Sequence, residues 1–290
     1  RQRQMCIRDR ESIHQRNIPI CYLEKPTNEF SIAAGEYLSV ARFAGPQRFQ
    51  EAQIWADKIL SQTVVAGDHK IAGTGPTLFL SATFENAPEN PNLPPPLEIF
   101  LPRWQVLRKE GYNFLVFNVE ITPESSSSNI IREFKDQTAK IKGLRFNSLT
   151  ASDPRKVKVG SPEENYDYEN GVAEALLEIR KKKLSKIVLS RQLTFSTDAP
   201  LPPFPIAHCL REKFSDCHTF CISQPDQGLM VGATPETLLR STGNSFETEA
   251  LAGSAPRGLS AGKDAHWGKT LLGREKEILE HKLVIQSILR

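Results

Sequence analysis

Short apolar runs separated by tight turns, between residues 217 and 251, are the feature that most constrains the fold of this chain. Four strand-like segments follow one another there: HTFCIS (218–223), LMVG (229–232), TLLRS (237–241) and SFETEAL (245–251). Turn sequences separate them at Asp226-Gln227-Gly228 and at Thr242-Gly243-Asn244. Strands joined this closely run antiparallel, because a parallel pair needs a crossover of about a dozen residues. The pattern therefore predicts a largely antiparallel sheet and favours an α/β sandwich over a doubly wound fold.

Further helices and strands are predicted along the rest of the chain. Residues 49–60 and 206–214 read as helices, and residues 77–84 and 97–121 read as strands, the latter as two strands around a turn at Glu110-Gly111. A connector is expected over 122–129, between these strands and another helix.

The second half of the chain contains a predicted helix that leads into a strand. Ser161, Pro162 and Glu164 form a capping-box sequence and predict the start of this helix. Its apolar stripe comprises Val172, Ala175, Leu176 and Ile179. A strand is expected to begin at Lys186, and a last helix is expected from about Leu271 to the end of the chain.

The composition gives no sign of a nucleic-acid or membrane partner. The formal net charge is only +3 over 290 residues. No apolar stretch approaches the roughly 20 residues that span a bilayer. Residues 1–17 form a polar leader without the apolar core of a signal peptide, and its first ten residues, which include MCIRDR, are either native or translated adapter sequence. We expect a cytoplasmic protein, with a plastid as the alternative in a eukaryote.

The cysteines indicate reduced thiols. An odd number is present without a CxxC motif: Cys6, Cys21, Cys209, Cys217 and Cys221. In CHTFC (217–221), alternation along a strand puts the two cysteines on one face and His218 on the other, which does not suit a metal cluster. We therefore expect buried free thiols.

Four segments, in this order and spacing, resemble the chorismate-utilising enzymes: KIVLSR (186–191), GATPETLLR (232–240), TEALAGSAPRG (248–258) and KEILEHKLVI (276–285). The resemblance covers about residues 18–290 and is strongest after residue 160. It implies that family's α/β sandwich, with antiparallel sheets flanked by helices, an N-terminal part over 18–150 and a catalytic part over 151–290. Within the family the chain is most similar to the isochorismate synthases, which are isomerases.

The resemblance implies that Lys186 and Glu236 act as base and acid. Isochorismate formation adds water at C2 of chorismate and expels the C4 hydroxyl, which needs a base for the water and an acid for the leaving group. A lysine accepts a proton near neutral pH only where burial or positive charge disfavours its ammonium form, and the run Ile187–Leu189 is expected to provide a dry setting. Glu236 is expected in a partly apolar pocket, and Gly232 is expected to let the substrate approach closely.

The resemblance also implies a magnesium ligand and a substrate-binding segment. Glu280 is the implied Mg²⁺ ligand, since Mg²⁺ binds through one or two carboxylates together with water and substrate oxygens. Helical spacing puts Glu277, Glu280 and His281 near one face, and His281 is expected at the substrate. The remaining substrate-binding residues are expected to offer backbone amides and one hydroxyl: Ala250, Leu251, Ala252, Gly253 and Ser254. Glu249 is a further acidic candidate.

Two positions help to choose between branches of the family. Aminodeoxychorismate synthases of the enteric type carry a lysine at the position of Ala252, and anthranilate synthases generally lack the lysine that matches Lys186. A salicylate synthase, which adds pyruvate elimination, stays open, as does an amidotransferase-coupled aminase. A binding module without catalysis is disfavoured, because it needs no acid and base together.

The family's fold continues beyond the last helix of this chain. The second metal-binding glutamate and the groups that hold the substrate carboxylates are expected in that continuation. We therefore expect a C-terminally truncated chain that is inactive or nearly so by itself. A monomer is expected, and the menaquinone, phylloquinone, siderophore and salicylate pathways are all open as destinations of the product.

Overall fold

The computed structural model describes residues 19–67, 71–87, 94–109, 111–143, 157–164, 167–198, 201–224 and 228–289. The predicted leader, together with Cys6, Glu110, Asp226 and Gln227, lies outside the described residues. Two compact units are formed, each from two stretches of sequence. The first comprises the chain up to Val157 and residues 199–235, and the second comprises residues 158–198 and 236–290. The predicted parts, 18–150 and 151–290, follow the chain continuously and stay a prediction.

The described residues form both strands and helices, and several strands follow one another without a helix between them. In chain order they are β1 (Ile20–Lys25), β2 (Phe30–Phe43), α1 (Arg48–Ser61), β3 (Phe79–Ala82), β4 (Leu97–Lys109), β5 (Tyr112–Phe117), α2 (Ser127–Gly143), β6 (Glu163–Glu164), α3 (Tyr168–Arg180), β7 (Leu193–Thr194), α4 (Pro203–Lys213), β8 (His218–Gln224), β9 (Gly228–Thr234), β10 (Arg240–Thr242), β11 (Ser245–Glu247), α5 (Ala261–Gly273) and α6 (Glu275–Ile288). None of the described helices is both long and apolar enough to cross a membrane.

The first unit is built on an antiparallel sheet with the strand order β3-β4-β2-β1-β8-β9, and β5 also pairs with β4. The long strands β2 and β4 form its centre, and their register shifts between Tyr37 and Ser39. Gly35 lies opposite Trp104, and a Cβ atom on Gly35 would come within 2.3 Å of the indole ring. Only glycine leaves room for that ring. The predicted mixed α/β fold with antiparallel sheets is confirmed.

Two helices cover this sheet with apolar side chains. Ala52 and Ala56 of α1 pack with Leu97 and Ile99 of β4. The ring of Phe204, at the start of α4, packs on Tyr22 and Cys221. These residues are nearly inaccessible to water, so burial of their apolar surface stabilises the contact of both helices with the sheet.

Glu24 is a buried charge of the first unit that has a cationic partner. The Arg211 guanidinium of α4 donates to Glu24 at 2.7 Å, and Tyr22 also donates to Glu24. Burying a carboxylate without partners is costly, so these hydrogen bonds keep Glu24 compatible with the core.

The cysteine predictions are confirmed in part. Cys221 is buried, Cys21 and Cys217 are partly buried, and all three are free thiols, whereas Cys209 is exposed. Burial, with a smaller contribution from Cys221, raises the pKa of the Cys21 thiol to about 12. Within the described ranges, no group of three or more His, Cys, Asp or Glu side chains is arranged to hold a metal ion.

The second unit corrects three predictions about secondary structure. Helix α3 starts at Tyr168 instead of at the predicted capping box, because the Asp167 side chain accepts a hydrogen bond from the Asn170 amide at 3.1 Å. The segment from Lys186 forms no strand in the described part of the chain until β7 begins at Leu193. The predicted last helix is two helices, since the backbone of Arg274 is extended (φ −78°, ψ 121°) between α5 and α6.

The remaining differences concern element boundaries. Helix α2 begins at Ser127, within the predicted connector. The helices predicted over 49–60 and 206–214 are confirmed as α1 and α4, within a few residues. The strands predicted in 218–251 are confirmed as β8 to β11, although β10 and β11 are only three residues long each.

Candidate active site

One face of helix α6 carries the charged and polar side chains at the centre of the candidate site. Glu277, Glu280 and His281 are separated by three and four residues, so they lie within about one turn of each other. Each of them contacts a different part of the second unit: Gly253, Lys186 and Ala250, respectively. Helix α6 therefore connects segments that are far apart in the sequence.

Lys186 and Glu280 form an ion pair. The Lys186 Nζ atom lies 3.2 Å from Oε1 of Glu280, and the two side chains are 28% and 34% exposed. The structure thus brings the predicted base and the predicted metal ligand together.

The surroundings of Lys186 differ from the prediction. Ile187 and Val188 are 41% and 79% exposed, so the apolar run after Lys186 does not form the expected dry setting. The prediction relied on β-branched residues entering a sheet, but this segment has no strand partner in the described residues until β7. In this structure the carboxylate of Glu280, and not an apolar wall, defines the environment of the Lys186 ammonium group.

The ALAGS segment (250–254) lies against α6 at two points. Nε2 of His281 is 3.0 Å from the carbonyl oxygen of Ala250. At Gly253 the backbone has φ +85°, and a Cβ atom added there would lie 2.7 Å from Oε2 of Glu277 and 3.3 Å from a methyl carbon of Leu271. Gly253 is therefore the residue at which this segment can bend close to the helix.

The other predicted substrate-binding residues are accessible. Ala250 and Ala252 are partly buried, whereas Leu251, Gly253 and Ser254 are exposed. Ala250 and Gly253 are the members of this set for which a contact with α6 is described above. The substrate-binding role of all five residues stays a prediction.

Glu236 lies in the segment between β9 and β10, and its side chain is exposed. The partly apolar pocket that we expected around it is therefore not found at this position. None of the contacts on α6 described above involves Glu236, and its role as general acid stays a prediction.

Gly232, in β9, faces the ring of Phe220, which would lie 2.5 Å from a Cβ atom added to Gly232. Glu249 is exposed in the segment after β11.

An anchor that the sequence analysis missed fixes the chain just after the ALAGS segment. Arg257 donates two hydrogen bonds of 2.8 Å to Asp264 in the first turn of α5, and the amide of Gly258 donates a third, also of 2.8 Å. These hydrogen bonds lower the pKa of the Asp264 carboxyl. A Cβ atom on Gly258 would come within 2.1 Å of the Asp264 backbone nitrogen. The signal in the sequence was an aspartate in the first turn of a helix, preceded by Arg-Gly.

The residues on α6 are compatible with a single magnesium ion. Glu280 already holds one cation, the Lys186 ammonium group, and its carboxylate is accessible. Mg²⁺ needs only one or two protein carboxylates when water and substrate oxygens complete its shell. Glu280 therefore suits the group that the resemblance implies, as one ligand of an incomplete set.

Comparisons with known proteins place the chain in a family. Residues 8–290 match the family described as chorismate binding enzyme. The chain is 33% identical over 122 residues to isochorismate synthase MenF of Bacillus subtilis and 34% identical over 125 residues to isochorismate synthase EntC of Escherichia coli K12. These matches cover 42% and 43% of this chain but only 26% and 32% of the two relatives.

A solved structure extends the comparison to the fold. The structure of MenF, the menaquinone-specific isochorismate synthase of Escherichia coli, matches with a TM-score of 0.63 and 17% sequence identity, over 95% of this chain and 58% of that one. At this identity the likeness shows a shared fold alone. Because the family match itself extends over nearly the whole sequence, this protein belongs to the chorismate binding enzyme family.

Proposed function

We propose that this chain is part of an isochorismate synthase, which converts chorismate to isochorismate. The observation that carries the proposal is the ion pair between Lys186 and Glu280, next to the ALAGS segment held by the same helix. The two curated relatives named above are isochorismate synthases, which supports this branch of the family. The aligned regions span about a third or less of each relative, so the activity of the whole protein is a proposal.

The proposed reaction exchanges one hydroxyl for another. A water oxygen forms a bond to C2 of the ring, the ring double bond shifts, and the C4–oxygen bond breaks. Lys186 takes the proton from the attacking water, and Glu236 gives a proton to the departing hydroxide, which leaves as water. No atoms or electrons are gained or lost, so the reaction needs no oxidant or reductant.

Lys186 can serve as the base only when it is neutral. In the structure its Nζ atom is held in the ion pair with Glu280. The proposed role therefore requires that the ion pair separates before Lys186 accepts a proton from water. Both side chains are partly exposed, so little packing has to be disrupted for the pair to separate.

Glu280 would hold Mg²⁺ in the active enzyme. When bound, the ion supplies positive charge that neutralises the carboxylate of the substrate. Lys186 and Glu236 provide the proton transfers, and the backbone of residues 250–254 binds and orients the substrate.

Identification of the reaction product tests the proposal. The chain, and a version extended to the length of its relatives, would each be incubated with chorismate and Mg²⁺, with and without ammonium, and the products separated by chromatography. We expect isochorismate that does not depend on ammonium. An aminated product would assign the protein to an aminase branch, and salicylate with pyruvate would assign it to a salicylate synthase.

The role of Lys186 is tested in whichever form is active. We expect Lys186→Ala to abolish turnover while chorismate binding is still measurable. Lys183→Ala is a matched control, because Lys183 pairs with Glu178 at 2.8 Å and should not affect the reaction. Turnover by Lys186→Ala at the rate of the control would contradict the assignment of the base.

A further inference from the structure

The contact between His281 and Ala250 specifies a role for this histidine. A carbonyl oxygen can only accept a hydrogen bond, so the 3.0 Å contact requires that Nε2 of His281 carries the hydrogen. In the neutral ring, Nδ1 then has no hydrogen and can only accept. The two carboxylates of chorismate are themselves acceptors, so the neutral ring offers them no second donor. The substrate contact that the sequence analysis expected for His281 stays a prediction.

A second contact holds the same segment one helical turn away. The Glu277 carboxylate lies against the backbone of Gly253, at a distance of 2.7 Å from the position that a Cβ atom would take. Glu277 and His281 are separated by four residues on α6 and therefore lie on one face, about 6 Å apart along the axis. The hydrogen bond at Ala250 holds the segment, and the close approach at Gly253 leaves little space between its backbone and α6.

The same face of α6 holds Lys186 through Glu280. The helix thus sets the position of the predicted substrate-binding segment relative to the predicted base. We infer that His281 is a positioning residue, whose Nε2–H holds the Ala250 carbonyl and thereby keeps the ALAGS segment in place to bind the substrate. This inference rests on the proposed function for the identity of the substrate, but not for the tautomer of His281 or for the two contacts.

Two substitutions separate positioning from substrate contact. His281→Leu removes the donor at similar size, and His281→Gln keeps an N–H donor at a comparable distance from the backbone. Lys282→Leu is the control, since Lys282 is exposed on α6 and makes no hydrogen bond or ion pair within the described residues. Losing one hydrogen bond of about 0.5–1.5 kcal/mol corresponds to a two- to tenfold effect. We expect His281→Leu to raise the Kd for chorismate by about that factor. His281→Gln should keep most of the wild-type affinity.

Nuclear magnetic resonance of the chain without substrate supplies a readout that is independent of the reaction. We expect the nitrogen shifts of His281 to report the Nε2–H tautomer, and the amide signals of residues 251–254 to move in His281→Leu but not in His281→Gln or in the control. An Nδ1–H tautomer, or amide signals that do not respond to His281→Leu, would overturn the inference. So would a His281→Gln variant as impaired in chorismate binding as His281→Leu.

The two kinds of failure can be told apart. If the tautomer and amide shifts agree with the inference but the chain does not bind chorismate, the proposed function is wrong and the positioning contact stands. If chorismate binds but the shifts disagree, the proposed function stands and the inference about His281 is wrong.

Discussion

Replacing Lys186 by methionine should strengthen the binding of Mg²⁺ to this protein. In the structure the ammonium group of Lys186 occupies one oxygen of Glu280 at 3.2 Å, so lysine and the metal compete for the same carboxylate. Methionine keeps an unbranched side chain of similar length and removes the charge. The free energy of Mg²⁺ binding should then become more favourable by the amount that the ion pair contributes in the wild type.

The size of the effect follows from the exposure of the pair. Both side chains are about a third exposed, so the pair belongs with accessible salt bridges, which are worth about 0.2–1 kcal/mol. Since 1.4 kcal/mol is a factor of ten in an equilibrium constant, the Kd for Mg²⁺ should fall by at most about fivefold. Screening by salt should shrink the difference, because both charges are accessible to ions.

Calorimetric titration of Mg²⁺ into the wild type, Lys186→Met and Lys183→Met measures this difference. Lys183→Met is the matched control, because it removes the same charge from a pair with Glu178. We expect tighter binding in Lys186→Met alone. If Lys186→Met binds Mg²⁺ no better than the control does, or binds it more weakly, then Lys186 and the metal do not compete for Glu280 and the proposed metal ligand is wrong.

Three further predictions concern stability. Gly253→Ala should lower the free energy of unfolding by about 1–2 kcal/mol, because alanine disfavours a positive φ and its methyl group would press on Glu277; unchanged urea denaturation would contradict the bend at this residue. Leu97→Ala should cost about 2–5 kcal/mol in the same assay, because Leu97 is fully buried between β4 and α1, and a loss below about 1 kcal/mol would contradict that packing. Asp264→Asn should destabilise the protein more at pH 7 than at pH 3: folding lowers the pKa of Asp264, so its contribution is complete above about pH 4 and declines as the pH falls through the lowered pKa. Thermal melting at both pH values measures this, and an equal difference at pH 7 and pH 3 would argue against the anchor with Arg257.

The antiparallel sheet could be predicted because its signals are local. Apolar alternation in residues 218–232 and turn sequences of two to three residues leave few other arrangements for those strands. The helix over 49–60 likewise follows from its own apolar stripe, with Ala52 and Ala56 buried as that stripe requires.

Other elements depended on choices that local pattern does not decide. Ser161 and Asp167 are both good N-cap residues, and the hydrogen bond to Asn170 decides for Asp167. Gly273 ends α5, but the strong helix formers that follow it hid the break at Arg274. The β-branched run after Lys186 reads as a strand, yet strand preference depends on a partner strand that this segment lacks in the described residues.

The residues of the candidate site could be named from the sequence, but their arrangement could not be predicted, and their roles stay predictions. Lys186, Glu280 and His281 were identified through a resemblance to known sequences. Spacing along the chain cannot show that Lys186 pairs with Glu280, or that His281 contacts a carbonyl 31 residues earlier, because both contacts depend on tertiary structure. Glu277 had no assigned role, since its partner is a glycine backbone that no motif identifies.

Mass spectrometry of the product formed in ¹⁸O-labelled water shows whether the new hydroxyl oxygen comes from solvent. The protein, extended to the length of its relatives if the present chain is inactive, would convert unlabelled chorismate in the presence of Mg²⁺. We expect isochorismate that carries one ¹⁸O atom at C2, because the oxygen added there comes from a water molecule that Lys186 activates. Isochorismate without the label, or a product other than isochorismate, would contradict the account.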